Sequence, residues 1–195
     1  MRVEKLITKI RKEVKPIYLS SPHYKLFIWR HVLRVSRHAK GFVLKIGADR
    51  LIAEAGGLLH DIGAAKFGKE NHHVTGVQEA SLILLKCGCP LQLIGSILTG
   101  IYSHRGSQRI AFQTLEAKCI AAGDALEHFT NLEELWRVQI EDLHIPESKV
   151  FSTLDAKLAR DWQKIDPEIK PFLNGIYARA CRKLVCLASR KKLKK

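Results

Sequence analysis

No run of this 195-residue chain is long and apolar enough to cross a bilayer. The longest uncharged stretch, Cys87 to Ser103, is short for a span and is broken by Gly88, Pro90, Gly95 and Gly100. The opening MRVEKLITKIRKEV lacks the apolar core of a signal peptide, so a cytoplasmic protein without membrane contact is expected. Alternating apolar and polar residues, which mark half-buried strands, are missing as well. So are a Gly-rich phosphate loop, a nucleophile elbow and zinc-finger spacing, which excludes the function classes built on them. The five cysteines (Cys87, Cys89, Cys119, Cys181, Cys186) are odd in number and follow no disulfide rhythm. Cys87-Gly88-Cys89 lacks the two-residue spacer of a redox or zinc pair, so reduced thiols, several of them buried, are expected.

Acidic residues are scarce: 19 Asp and Glu stand against 33 Lys and Arg, a formal net charge of +14. The excess lies at the ends. Arg179 to Lys195 hold eight basic residues and no acid, and residues 1–15 carry a net of +4, which leaves +2 for the rest. Such ends serve solubility or attract a polyanion such as RNA or an acidic partner. A hydrophobic share of 46% in a chain of this length is enough for one substantial core.

The periodicity is helical nearly throughout, which predicts an all-α fold. Helices are expected over about 2–14, stopped by Pro16, then 23–46, ending near Gly47, and 50–60, capped by Asp49. A polar loop is expected over Gly63 to Asn71. Further helices follow at about 72–87, 90–103, 113–129, 132–142, 147–163 and 168–188. The expected division is an N-terminal helix (1–20), a central bundle (21–140), a C-terminal helical extension packed on it (141–189) and a basic tail (190–195).

Chemistry concentrates around His60–Asp61, which ends an apolar helix in Leu58-Leu59-His60-Asp61-Ile62-Gly63. Burying that dyad is costly unless a cation compensates it. Ala53, Ala55, Gly56 and Gly57 before it allow close helix approach, and Gly63 after it lets the chain turn away. His31 lies among apolar residues of the preceding helix, a third candidate ligand. Asp124 sits in Ala121-Ala122-Gly123-Asp124-Ala125, a setting that demands a cation or several donors, and His128 shares its face one turn later. His72 and His104 lie between. Imidazole and carboxylate together suit first-row divalent metals, Mn²⁺, Fe²⁺, Co²⁺, Ni²⁺ or Zn²⁺, better than Ca²⁺.

The order His31, His60–Asp61, Asp124, with the stretches HDIG (60–63), ENHHVTG (70–76), SHRGS (103–107) and DALEHF (124–129), resembles the HD-domain superfamily of metal-dependent phosphohydrolases. The likeness is nearest to its small stand-alone prokaryotic members and spans about residues 25–130. It implies a compact helical bundle of the HD-domain type and one divalent cation held by His31, His60, Asp61 and Asp124. His72 and His104 match the positions that hold a second metal in binuclear members. They could instead contact phosphate directly or act as acid–base groups, with a purely structural role for both as the remaining alternative. Alarmone hydrolases carry an acidic pair after the dyad, where this chain has Ala64 and Ala65. The cyclic-di-GMP branch has Lys directly after HDIG, and here Lys66 and Lys69 are displaced along the chain.

The resulting expectation is hydrolysis of a phosphate ester or anhydride, most plausibly in a small nucleotide, by metal-activated water. Asp61, His72, His104 and Arg105 are the catalytic candidates. Lys66, Lys69, Arg105 and His128 are candidates for substrate contact, Arg105 because its fork matches paired phosphate oxygens. His73, adjacent to His72 on a helix, is expected to point elsewhere and to be exposed. The alternative is a non-catalytic HD module that binds a nucleotide or RNA through its basic ends.

Overall fold

Helical periodicity becomes helix along almost the whole chain in this computed structural model, which describes residues 3–25, 27–108 and 110–192. The elements are α1 (Val3–Leu19), α2 (Ile28–Ile46), α3 (Arg50–Leu59), α4 (Ile62–Phe67), α5 (His72–Lys86), α6 (Leu91–Ser103), α7 (Leu115–Thr130), α8 (Leu132–Glu141), α9 (Glu147–Lys164) and α10 (Lys170–Lys192). No strand occurs among the described residues, so the all-α class holds. None of these helices is long and apolar enough to cross a membrane.

Four local expectations need correction. Pro16 does not stop α1, which runs on to Leu19. The Pro16 ring faces solvent, and the turn beyond it is anchored by Tyr18, fully buried, whose hydroxyl donates to the Leu58 carbonyl at 2.8 Å. Helix α2 starts at Ile28 rather than near 23, because the Ser21 hydroxyl accepts from the amides of His23 and Tyr24 and holds them in a turn. The segment read as loop after the dyad contains α4, whose Ile62, Ala64 and Ala65 are buried. Helix α10 continues to Lys192, into the expected basic tail; Lys and Arg are good helix formers and no breaker intervenes. The last part of that tail, 193–195, lies outside the described residues.

Helices α2, α3 and α7 pack on one another at the centre. A Cβ on Gly57 would lie 2.6 Å from the Ser36 backbone, so only glycine lets α3 approach α2 this closely. Gly63 serves the same purpose. A Cβ there would meet the Gly76 nitrogen and the His72 carbonyl at 2.4 Å, so its role is contact with α5 rather than a sharp turn. One apolar cluster joins α1 and α3 to α6 through Leu6, Tyr18, Leu58, Leu59, Leu84 and Ile101. A second seats α9 and α10 on α7, with Leu154, Leu158, Leu173 and Leu184 against residues such as Ala122 and Phe129. Truncating any of these leucines to Ala should cost about 2–5 kcal/mol. The described cysteines are unpaired; Cys87, Cys89 and Cys119 are buried.

Candidate metal centre

The three central helices bring together side chains that are distant in sequence. His31 projects from α2, His60 and Asp61 join α3 to α4, and Asp124 sits midway along α7. Nε2 of His31 lies 3.1 Å from Nε2 of His60, 3.5 Å from Oδ2 of Asp61 and 3.5 Å from Oδ1 of Asp124. Nε2 of His60 is 3.4 Å from Asp61 and 3.8 Å from Asp124. The four residues implied as ligands therefore converge.

A second group adjoins the first. Nε2 of His72 and Nε2 of His104 are 3.2 Å apart, and each is 3.6 Å from Oδ1 of Asp61. Asp61 thus turns one oxygen to each pair of histidines. His128 adds a third flank, with Nε2 at 3.3 Å from Oδ1 of Asp124. Potential ligand atoms of His31, Asp124 and His128, of His31, His60 and Asp61, and of Asp61, His72 and His104 form three sets, each within 4.8 Å.

The rings are aimed by their far nitrogens. Nδ1 of His60 lies 2.9 Å from the Gly57 carbonyl, Nδ1 of His72 is 2.8 Å from the Lys69 carbonyl, and Nδ1 of His104 meets the Ile101 carbonyl. Carbonyls only accept, so each Nδ1 carries the proton and each Nε2 can present a lone pair to the centre. His31 directs Nδ1 to Glu127 at 2.9 Å, and Glu127 is held in turn by Arg34, which also pairs with Glu134. This carboxylate–histidine arrangement orients metal-binding imidazoles in general and raises their basicity.

Among these protein groups alone, burial works against a charged His31, but Glu127, Asp61 and Asp124 outweigh it and raise its pKa to about 10. Burial lowers His104 to about 4. Burial would raise Asp61 and Asp124, but neighbouring histidines, and for Asp124 also Lys164, hold both well below the usual carboxylate range. A carboxylate-rich pocket that draws a proton onto an imidazole also suits a divalent cation, which would compensate the same charges. The donor set of imidazole nitrogens and carboxylate oxygens fits a first-row divalent metal.

The remaining candidates divide. Lys69 lines the cavities on both sides of Asp61, and its ammonium pKa is lowered by burial and then by Lys157, Arg160 and Arg105. Arg105 lines one of them, with Nε donating to Ser107 at 2.9 Å and Nη1 3.2 Å from Nδ1 of His73. Lys66 is not brought to the centre. It pairs with Glu79 of α5 at 2.6 Å, because α4 turns it away from Lys69. His73 is buried rather than exposed, its ring tilted against that of Tyr102 and touching Arg105.

Sequence reading expected the helix that is α9 but missed its charged residues at the centre. Nζ of Lys164 lies 2.6 Å from Oδ2 of Asp124 and 3.3 Å from Asp161. Asp161 is 2.9 Å from Nδ1 of His128, and Lys157 is 3.4 Å from Asp161. The spacing 157, 161, 164 on one face of an amphipathic helix was the available signal.

Two cavities meet at Asp61. One, of about 670 Å³, includes His72, His104, Arg105 and the α9 cations. The other, of about 660 Å³, is more apolar and includes Tyr24, Phe27, Leu135, Val138 and Gln139.

Comparison with known proteins gives two findings. The sequence profile of the HD domain matches residues 28–128. In shape the chain is similar to the crystal structure of an HD-superfamily hydrolase from Bacillus thuringiensis, with a TM-score of 0.67 over 100% of both chains and 17% sequence identity, a likeness of fold. No curated protein matches the chain significantly.

Proposed function

This chain belongs to the HD-domain family, and from that premise we propose that it is a metal-dependent phosphohydrolase acting on a phosphate ester or anhydride of a small nucleotide. The observation that carries this reading is the convergence of Nε2 of His31, His60, His72 and His104 on the two oxygens of Asp61. His31, His60, Asp61 and Asp124 would hold a divalent cation. His72 and His104, with Asp61, would hold a second or bind phosphate. Such a cation supplies Lewis acidity and an acidified water.

The protein's own groups do the rest. Asp61, between the two histidine pairs, would assist the attacking water while it holds the cation. Arg105 and Lys69 line the adjoining cavity, where they neutralise phosphate oxygens and orient the ester, the main demands of phosphoryl transfer. The second cavity favours a nucleotide over a small phosphorylated metabolite. Tyr24 brings an aromatic ring to this lining, Gln139 adds a polar amide, and the Phe27 ring carries the guanidinium groups of Arg30 and Arg137 over it. An aromatic base with an amide-sized polar edge suits that lining.

The test is to purify the protein, measure bound metal, and assay phosphate release from a panel of nucleotides and phosphorylated sugars with each first-row divalent metal. Metal-dependent release from nucleotides is expected. Stoichiometric metal without release from any phosphorylated compound would overturn the enzymatic reading in favour of a binding module.

A further inference from the structure

We propose that α9 builds a subsite for a second phosphoryl group beside the metal centre, so that the preferred substrate is a nucleoside di- or triphosphate rather than a monophosphate. The inference rests on the phosphohydrolase reading but draws mainly on α9 residues, which lie outside the family motifs. Lys157, Arg160 and Lys164 share one face of α9, and Leu154 and Leu158 on the adjoining flank fix the helix to α7. Lys69 and Arg105 complete the same cavity from other segments. A Cβ on Gly106 would lie 3.0 Å from Cδ of Lys164 and 3.7 Å from the Arg160 carbonyl. The loop that carries Arg105 is therefore seated directly on α9, and its guanidinium and the α9 cations belong to one wall.

Charge decides the class of ligand. Five cations line this cavity against three carboxylates, Asp61, Asp124 and Asp161. The carboxylates are already engaged, Asp124 by Lys164 and Asp161 by Lys157 and Lys164. Lys69 and Arg160 meet no carboxylate among the described residues. A divalent cation at the centre would add two further positive charges. A phosphomonoester carries only about two negative charges at neutral pH and would leave the excess uncompensated. Each added phosphoryl group brings more charge and three more acceptor oxygens, which match guanidinium and ammonium donors.

The chemistry follows. Water adds across a P–O–P bridge: its oxygen bonds to the attacked phosphorus, and the bridging oxygen leaves with the neighbouring phosphoryl group. The protons of the water end on product oxygens or solvent. Negative charge develops on the leaving phosphate, which the α9 cations are placed to stabilise.

The test uses the full chain, loaded with metal and freed of excess, and a Lys157→Gln/Arg160→Gln variant. Lys157 is half-buried and Arg160 exposed, so the variant should fold, and its melting curve verifies this. Calorimetry compares orthophosphate with pyrophosphate, and assays compare a nucleoside mono-, di- and triphosphate of one base. Pyrophosphate is expected to bind about tenfold or more tightly than orthophosphate, with kcat/KM rising in parallel, and the variant should lose most of both ratios. Ratios near one, or ratios the variant leaves intact, would overturn the subsite. Hydrolysis without discrimination would sink the subsite and keep the hydrolase. Selective pyrophosphate binding without hydrolysis of any nucleotide would keep the subsite and sink the hydrolase.

Discussion

Nζ of Lys164 lies 2.6 Å from Oδ2 of Asp124, while the other oxygen of that carboxylate faces His31 and His128. One buried carboxylate therefore joins the centre to a helix beyond the motif region. Burial penalises the Lys164 ammonium, but Asp124 and Asp161 outweigh this and raise its pKa. Replacing Lys164 by Met should leave two buried carboxylates short of a cation. The expected loss is about 3–5 kcal/mol for the metal-depleted protein. Bound metal should recover part of it, because it compensates Asp124. Urea unfolding with and without Mn²⁺ measures both numbers, and an equal loss in the two would show that Asp124 is not a ligand.

Asp61→Ala should abolish metal binding and turnover together, since it removes an oxygen from each histidine pair. Glu127→Gln alters the far side of His31 and the Arg34 pair but removes no ligand atom from the centre. It should weaken metal affinity about 10–100-fold while leaving the stoichiometry intact. Metal titration by calorimetry separates the two outcomes. Unchanged affinity in Glu127→Gln would remove Glu127 from any part in orienting His31.

Metal should compete with protons. In the metal-depleted protein His31 is raised to about 10, so at neutral pH it is protonated, and metal binding must release that proton. Affinity should fall as pH falls. Stability of the metal-depleted protein is bounded on both sides. The His31 contribution is complete below its unfolded pKa of about 6.5 and is lost as pH rises through about 10. His104 is lowered to about 4, so its contribution is complete above about 6.5 and is lost as pH falls toward 4. Calorimetry in buffers of different ionisation enthalpy counts the protons, and release of none at pH 7 would contradict the raised His31.

Gly57→Ala tests the packing that assembles the centre. The added methyl would sit 2.6 Å from the Ser36 backbone, which has no side-chain freedom with which to yield. Separation of α3 from α2 should cost about 1–3 kcal/mol and shift His60 and Asp61 away from His31. Reduced metal affinity alongside a lowered Tm is the expected pair, and a lowered Tm with normal affinity would mean that α3 relaxes elsewhere.

Much of this site was legible before any coordinates. His31, His60–Asp61 and Asp124 were readable because each is a polar residue placed where burial is otherwise unfavourable, and because small residues beside them announce close helix contacts. The helix boundaries at Asp49 and Gly47 were readable from capping chemistry. Lys66 and Lys69 were not separable, since their difference depends on α4, a short helix with no start signal of its own, and on Glu79 waiting on α5. The α9 residues were hidden for another reason. Lys157, Asp161 and Lys164 look like the solvated face of an amphipathic helix, and only the packing of Leu154 and Leu158 on α7 turns that face toward Asp124. Pro16 shows the reverse error, a strong local signal overridden by the burial of Tyr18.

Arg105→Ala should lower kcat without changing metal content. The guanidinium is held away from the ligand atoms by Ser107 and His73, so its loss removes no oxygen or nitrogen from the centre. It lines the cavity next to His72 and His104, where phosphate oxygens would sit, and its planar fork matches paired oxygens. Loss of one preorganised donor to developing charge typically lowers turnover about 10²–10³-fold. Arg105→Lys should recover only part of this, because an ammonium cannot form the paired contact. His73→Phe provides the control. It removes a contact of the guanidinium while leaving the charge, so it should lower turnover less than Arg105→Ala does. If His73→Phe is as damaging as Arg105→Ala, position rather than charge is what Arg105 contributes. If Arg105→Ala loses metal instead, the SHRGS loop supports His104, and Arg105 has no direct part in handling phosphate.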